Sequence, residues 1–396
     1  MRKAIVICPG RGSYTKTELG YLGRHHADKR ELLEELDNRR RGLSQDGLLA
    51  LDGASSFSPT RHTRGDNASA LIYACTLCDF LSIDQEAVEC VAVTGNSMGW
   101  YSALACAGAL SPQAGFEVVN TMGTLMQERL IGGQVIHPFM AEDWRDDPAR
   151  RAELMALVAR IDAAPDQTLA LSIDYGGMLV LAGDEAGLAA FEATVQSVQG
   201  RFPMRLVNHA AFHTSLQAPV AEAGRERLGQ DLFSSPSLPL VDGRGAIWWP
   251  QATDVAALRE YTLGFQVTEP YDFTRAVRSA AREFAPDVFI VAGPGSTLGG
   301  AVAQSLIIEG WRGMKSKADF VALQRTAPLV ISMGMDEQRS ALVRAAGTES
   351  SRVNQPKQPL RLALLAIIGF VFWTVASVVP RRAYRPTRGL HPQLGR

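Results

Sequence analysis

The chain has 396 residues, and its 40 Lys and Arg against 41 Asp and Glu give a formal net charge of -1. This balance excludes the extended basic surface that nucleic-acid binding requires. The five cysteines have no regular spacing, which argues against a disulfide framework and favours a reducing, cytoplasmic location. The length suffices for two or three domains, or for one large domain with an insertion.

The first predicted element is a buried strand over residues 4–8, followed by a glycine-rich turn over residues 9–13. The apolar run is too short for a signal peptide. A buried helix is predicted over residues 67–81. It contains Cys75 and Cys78, whose spacing matches half of a redox or zinc motif. No second pair accompanies them, and we expect two buried core thiols.

A second apolar strand over residues 90–95 runs into Gly-Asn-Ser-Met-Gly at residues 95–99, and a helix of small residues is predicted over residues 98–110. This order is that of a nucleophile elbow, with Ser97 at the apex of a tight strand-to-helix turn. Side chains at the two glycines would clash in such a turn. The N-terminus of the helix offers N–H groups to a developing oxyanion. The pattern therefore predicts Ser97 as a nucleophile.

A different pattern occupies residues 131–206. The predicted order is strand, helix, strand, strand, helix, strand, which is the ferredoxin-like unit. The strands are predicted at residues 134–140, 169–173, 178–182 and 202–207, and the helices at residues 148–161 and 185–199.

Strands and helices alternate again after this unit, with a strand at residues 288–291 and a glycine-rich turn at residues 292–298. The alternation predicts an α/β fold with a mostly parallel sheet. We expect an α/β-hydrolase-like core interrupted by the ferredoxin-like insertion, and then two further segments. The segments are residues 1–130 and 207–315 for the core, 131–206 for the insertion, 316–355 for an extension and linker, and 356–396 for a tail.

The tail contains an uncharged run of 18 residues, 362–379, followed by Arg381, Arg382, Arg385 and Arg388. At about 1.5 Å per residue a helix of this length extends roughly 27 Å, enough for a thin hydrocarbon layer. The polar, proline-containing stretch before it favours a C-terminal hydrophobic helix that anchors the protein to a membrane. The alternative is a buried helix of the core.

Five motifs in order give residues 4–310 a resemblance to the malonyl-CoA:acyl-carrier-protein transacylases and to the acyltransferase domains of fatty-acid and polyketide synthases. They are the opening Cys-Pro-Gly-Arg-Gly-Ser at residues 8–13, the elbow at 95–99, Ala-Phe-His at 211–213, Gln266 four residues before Pro270, and Gly-Pro-Gly at 293–295.

The resemblance implies a role for each matching position. Ser97 is the nucleophile, and His213 is the general base and acid. The backbone N–H groups of Met98 and Arg11 form the oxyanion hole. A backbone carbonyl at Gln266 orients the histidine, so that no Asp or Glu is needed. The other histidines match no motif and receive no role: His25, His26, His62, His137, His209 and His391.

Two departures from the family pattern concern the acyl group. Met122 stands where the family has the arginine that binds the malonyl carboxylate, and methionine cannot form that charged pair. Arg11 stands where the family has glutamine, and it could bind a carboxylate from another side. Asn96 replaces a histidine, whereas Phe212 matches the malonyl-specific members. Arg11, Asn96, Met122 and Phe212 are therefore the expected substrate-binding residues.

The implied activity is transfer of an acyl group from acyl-CoA to the phosphopantetheine thiol of acyl carrier protein, in fatty-acid or polyketide biosynthesis. No cofactor and no metal is expected, because the thioester is already activated. The carrier protein and acyl-CoA are the expected partners, with no nucleic acid. The alternatives are transfer of an uncharged acyl group, hydrolysis of acyl thioesters on the same Ser–His site, and a membrane-tethered scaffold without activity.

Overall fold

The computed structural model describes residues 1–343. The strands in this part of the chain are β1 Arg2–Cys8, β2 Val88–Gly95, β3 Gly133–Pro138, β4 Leu169–Tyr175, β5 Met178–Gly183, β6 Met204–Arg205, β7 Leu240–Val241, β8 Ile247–Trp248, β9 Tyr271–Asp272, β10 Val288–Val291 and β11 Val330–Ser332. The α-helices are α1 Tyr21–His25, α2 Arg30–Gly42, α3 Leu48–Asp52, α4 Pro59–His62, α5 Gly65–Phe80, α6 Gly99–Cys106, α7 Pro112–Arg129, α8 Pro148–Asp162, α9 Glu185–Thr194, α10 Ala218–Arg227, α11 Val255–Glu260, α12 Gln266–Thr268, α13 Phe273–Phe284, α14 Leu298–Ile308, α15 Lys317–Thr326 and α16 Asp336–Arg339.

The larger sheet has the strand order β11-β10-β1-β2-β7-β8. Its pairings are parallel except for the antiparallel contact of β7 with β8. Ala4 to Cys8 are fully buried at the centre of this sheet. A continuous apolar run is expected there, because helices cover both faces of a parallel sheet. The ends of β1 and β2 therefore lie side by side, and both candidate-site loops start from them.

The smaller sheet has the order β6-β3-β5-β4-β9. Its first four strands pair antiparallel, and with α8 and α9 they form a βαββαβ unit in the ferredoxin-like arrangement. β9 comes from the returning chain and pairs in parallel with β4, Ile173 opposite Tyr271. This strand ties the insertion to the core.

The predicted α/β fold is confirmed at this level, with two sheets of mixed strand direction. Some boundaries were wrong. The helix expected to reach residue 199 ends at Thr194, where the β-branched Val195 adopts an extended backbone. The last strand of the insertion is only Met204–Arg205. Cys75 and Cys78 lie on α5 as buried free thiols, as the sequence predicts.

The core continues beyond residue 315, where the sequence analysis placed an extension and linker. β11 forms the edge of the larger sheet by pairing with β10. Arg339 forms a buried ion pair with Asp79, and the same carboxylate accepts hydrogen bonds from Tyr21 Oη (2.8 Å) and Gly293 N (2.6 Å). The segment is therefore an integral part of the sheet, which its three-residue strand gave little reason to expect.

The uncharged run 362–379 and the arginines after it lie outside the described residues. Within residues 1–343, no helix combines the length and the apolar character needed to cross a membrane.

Candidate active site

Ser97 lies at the apex of a strained turn between β2 and α6. Its φ of 54° is in the left-handed region that non-glycine residues rarely adopt. A Cβ on Gly95 would come within 2.2 Å of the Gly99 backbone, and one on Gly99 within 2.2 Å of the Cys8 carbonyl oxygen. Glycine is therefore required on both sides. Tyr271 Oη donates a hydrogen bond of 2.6 Å to the Gly95 carbonyl and holds the turn in place.

The hydroxyl of Ser97 is hydrogen-bonded to a histidine 116 residues later in the chain. Ser97 Oγ lies 2.8 Å from His213 Nε2, and His213 Nδ1 lies 2.6 Å from the Gln266 carbonyl oxygen. Because a carbonyl oxygen can only accept, Nδ1 carries the proton. Nε2 then has a free lone pair toward Ser97. This tautomer is the one that a general base at a serine nucleophile requires.

The surroundings keep the His213 imidazole neutral. Burial lowers the pKa of His213 to about 4, and the hydrogen bond to the Gln266 carbonyl opposes this only in part. The side chain is buried, with 2% of its surface exposed. At neutral pH the ring is therefore unprotonated and able to accept the serine proton.

Gln266 contacts both members of this pair. Its side-chain Nε2 donates a hydrogen bond of 3.0 Å to the Ser97 carbonyl, and its Oε1 accepts one of 3.1 Å from Tyr101 Oη. The Val267 carbonyl accepts a hydrogen bond of 3.0 Å from the His213 backbone N–H. The short helix α12 thus fixes the serine and the histidine relative to each other.

The loop after β1 packs against the elbow. A Cβ on Gly10 would lie 2.6 Å from the Asn96 carbonyl oxygen. Within residues 1–343 the backbone N–H groups of Arg11 and Met98 donate no hydrogen bond. Both residues line the same cavity as Ser97. Two unused N–H donors at this place are what an oxyanion hole requires.

The Arg11 side chain is held mainly by uncharged acceptors. Its Nη2 donates to the carbonyl oxygens of Asn208 (2.7 Å) and Thr63 (3.0 Å), and its Nη1 lies 2.7 Å from Met126 Sδ. Nε is buried without a partner, and no carboxylate of residues 1–343 forms an ion pair with Arg11. Burial lowers the pKa of Arg11 to about 10, opposed by Asp66. The guanidinium is therefore charged at neutral pH, and Asp66 acts on it only from beyond ion-pair distance.

A cavity of about 260 Å³ lies in front of Ser97, between the core and the smaller sheet. All eight residues predicted for the site line it. Arg11 and Arg201 are the charged residues among the described residues of its lining, and Asp and Glu are absent from that lining. The apolar part of the wall includes Met122, Met126, Ile136, Ile173, Met178, Val180, Met204, Leu206, Phe212 and Val220.

Three polar residues of this region have no role in the sequence-based prediction: the buried Gln134 and Ser172, and the half-buried His209. His209 lines the cavity, and its Nδ1 lies 2.9 Å from Gln134 Oε1. Gln134 Nε2 donates to Ser172 Oγ (2.7 Å), which donates to the Phe212 carbonyl (2.8 Å). Gln134 and Ser172 are polar residues within the mainly apolar strands β3 and β4, which also contain His137 and Asp174, so the sequence signal for them is weak.

A strained serine on a strand–turn–helix elbow, hydrogen-bonded to a neutral histidine, is typical of the class of α/β enzymes with a serine nucleophile. Comparison with known proteins narrows this class. No family model matches the chain. The malonyl-CoA-acyl carrier protein transacylase of Salmonella typhimurium is 26% identical over 208 residues, which are 52% of this chain and 63% of that protein. The chain thus matches less than two thirds of that relative's length.

The protein of the same description from Haemophilus influenzae is 23% identical over 307 residues, 76% of this chain and 91% of that protein. The crystal structure of malonyl-CoA:acyl carrier protein transacylase from Xanthomonas oryzae superimposes with a TM-score of 0.68 at 21% identity. It covers 86% of this chain and 98% of the other. The two sequence matches confirm the resemblance to the malonyl-CoA:acyl-carrier-protein transacylases, and the superposition shows that the fold is shared.

Proposed function

We propose that the protein transfers an acyl group from acyl-CoA to the phosphopantetheine thiol of acyl carrier protein through an acyl-Ser97 intermediate. The observation that carries the proposal is the hydrogen-bonded series from Ser97 Oγ through His213 to the Gln266 carbonyl. The relatives, which are named for transfer between malonyl-CoA and acyl carrier protein, support the reaction class and both partners.

In the first half-reaction His213 Nε2 takes the proton of Ser97 as Oγ attacks the thioester carbonyl. The oxyanion accepts hydrogen bonds from the N–H groups of Arg11 and Met98. The C–S bond then breaks, His213 returns the proton to the CoA thiolate, and acyl-Ser97 remains. In the second half the carrier thiol gives its proton to His213 and attacks the acyl-serine. This attack forms a tetrahedral intermediate. When its bond to Ser97 Oγ breaks, His213 returns the proton to Oγ and the acyl group stays on the carrier thiol.

The acyl group of this proposal is malonyl, with Arg11 rather than residue 122 as the partner of its carboxylate. Arg11 supplies a positive charge that forms no ion pair with a carboxylate of residues 1–343, and the described cavity wall contains no acidic side chain. A carboxylate left without such a partner would be costly to bury. Asn96 and Phe212 would contribute to the pocket around the acyl group.

An uncharged acyl group is the second candidate, and Met122 is the observation that favours it. Met122 is 5% exposed and lines the cavity with several other apolar side chains. A flexible thioether suits acetyl or longer alkyl groups. The same site would hydrolyse acyl thioesters if water, not a thiol, reached acyl-Ser97.

The tail beyond the described residues belongs to the proposal as a membrane anchor. Its support is the uncharged run 362–379 after a polar, proline-containing stretch. The substrates require the catalytic part to face the cytoplasm.

Transfer and hydrolysis are separated by one experiment. The protein is mixed with malonyl-CoA, and the fate of the acyl group is followed with and without a phosphopantetheinylated carrier protein. Transfer predicts that the carrier gains the group and that release of free malonate is slow without it. Rapid malonate release that the carrier does not suppress identifies a hydrolase. If malonyl-CoA is not consumed with or without the carrier, both activities are contradicted.

A further inference from the structure

A series of hydrogen bonds runs from the His209 side chain through Gln134 and Ser172 to the Phe212 carbonyl, and the donor and acceptor of each bond are fixed. The Phe212 carbonyl can only accept, so Ser172 Oγ must donate to it. Ser172 then accepts from Gln134 Nε2, and Gln134 Oε1 is left to accept from His209 Nδ1. Gln134 is 2% exposed and Ser172 is fully buried. Every link thus has one donor and one acceptor, and His209 is fixed as the tautomer protonated on Nδ1.

This chain ends one peptide before the candidate base. His213 has a φ of 59°, a left-handed conformation that is strained for a non-glycine residue. On the core side, His213 is held by the carbonyls of Gln266 and Val267. On the other side, the only described hydrogen bond to the Phe212 carbonyl comes from Ser172 of the smaller sheet. The backbone segment that carries the imidazole is therefore held from both the core and the insertion.

We infer that Ser172 and Gln134 are positioning residues, by which the inserted sheet sets the distance between His213 Nε2 and Ser97 Oγ. The inference rests on the proposed function, because it assigns the histidine the role of base. Loss of the Ser172 hydroxyl leaves a carbonyl beside His213 without its donor, and the strained segment is free to relax. A displacement of about 1 Å in such a pair can cost about 100-fold in rate.

The test measures the reactivity of Ser97 toward phenylmethanesulfonyl fluoride, which needs the histidine but no CoA or carrier protein. The Ser97 Oγ–S bond forms as the S–F bond breaks, fluoride leaves, and the serine proton passes to His213. The full-length protein is compared with Ser172→Ala and Gln134→Leu. Ser305→Ala is the matched control, since Ser305 is also fully buried and also donates to a backbone carbonyl, that of Ala301 (2.7 Å).

We expect Ser172→Ala and Gln134→Leu to slow modification of Ser97 by about 10- to 100-fold and Ser305→Ala to leave the rate unchanged. In a His213→Ala background, Ser172→Ala should not slow the modification further, because the effects of substitutions that act through the same group are not additive. The inference would be overturned if Ser172→Ala and Gln134→Leu both reacted at the wild-type rate. It would also be overturned if Ser172→Ala slowed the His213→Ala protein as much as it slows the wild type.

Ser172→Ala and Gln134→Leu remove different hydrogen bonds of the series, so the test remains decisive if one of these variants does not fold. The sulfonyl fluoride also separates this inference from the proposed function. A wild-type protein that reacts with the reagent but accepts no acyl group from any acyl-CoA contradicts the proposed function. The comparison of the variants still decides whether Ser172 and Gln134 position His213.

Discussion

His213 Nδ1 lies 2.6 Å from the backbone carbonyl oxygen of Gln266, in the place where many serine enzymes have a carboxylate. A carbonyl fixes the tautomer as well as a carboxylate does, but it brings no negative charge. An imidazolium formed during the reaction is therefore stabilised less. The arrangement suits an activated thioester, whose cleavage demands less of the base than that of an amide.

Gln266 also holds Ser97 through its side chain, and this contact can be removed without touching the carbonyl. Gln266→Leu keeps the hydrogen bond to His213 but loses the one to the Ser97 carbonyl. We expect the rate of Ser97 acylation to fall by about 10- to 100-fold, far less than in His213→Ala. Tyr101→Phe is the control, because it removes only the Gln266 Oε1 partner and should cost no more than about threefold. Equal rates in Gln266→Leu and wild type would show that the side chain does not position the elbow.

The pH dependence of acylation follows from the neutral imidazole. Burial lowers the pKa of His213 from 6.5 to about 4. Protonation removes the lone pair that Ser97 needs, so kcat/KM should be constant above roughly pH 5.5 and fall as the pH decreases toward 4. The profile is measured with acyl-CoA in excess of enzyme, and circular dichroism at each pH confirms that the fold is intact. A midpoint near 6.5 in the folded protein would contradict the environment described for His213.

The partner of the acyl carboxylate is tested at Arg11. Arg11→Gln removes one of the two arginine charges of the described cavity wall and leaves Arg201. We expect malonyl transfer to fall about 100-fold more than acetyl transfer, because a charged pair is lost only with malonyl. Acetyl transfer by the same variant controls for loss of the contacts to Thr63 and Asn208. Equal losses for both groups would remove Arg11 from substrate recognition.

The reverse change is made at position 122. If Arg11 already binds the carboxylate, Met122→Arg should not raise malonyl transfer, since the new cation would repel the arginines already in the cavity wall. A large gain in Met122→Arg, with uncharged transfer reduced, would instead show that the wild-type cavity lacks a carboxylate partner and favours uncharged acyl groups.

Deletion of residues 356–396 tests the proposed anchor. We expect the truncated protein to move from the membrane fraction to the soluble fraction and to keep its transfer activity, because Ser97, His213 and the rest of the candidate site are formed by residues 1–343. Cell fractionation and activity assays of both forms provide the measurement. Aggregation or loss of activity in the truncated protein would indicate that residues 362–379 are a core helix.

Local sequence was sufficient for the elbow. Two glycines flanking Ser97 between an apolar strand and a small-residue helix permit little besides a tight turn, and the structure has that turn. Ser97 and His213 are 116 residues apart in sequence, and no local pattern predicts that they come into contact. The resemblance to a family, not periodicity, placed the histidine in the site.

The remaining features depend on tertiary contacts. β11 is only three residues long, and its place at the sheet edge depends on pairing with β10. The roles of Gln134, Ser172 and His209 appear only when strands β3 and β4 pack against the segment before His213. These hydrogen bonds join residues that are distant in sequence, so the local sequence shows only polar residues within mainly apolar strands.

The central claim is that Ser97 carries the acyl group during transfer. The wild-type protein is incubated with malonyl-CoA, quenched in acid and analysed by intact mass and peptide mapping, with Ser97→Ala and His213→Ala in parallel. We expect one malonyl group on the peptide that contains Ser97, and we expect it to leave when the phosphopantetheinylated carrier is added. Acylation should fall about 10⁴- to 10⁶-fold in either variant. An adduct on another residue, or labelling that persists in Ser97→Ala, would contradict the account.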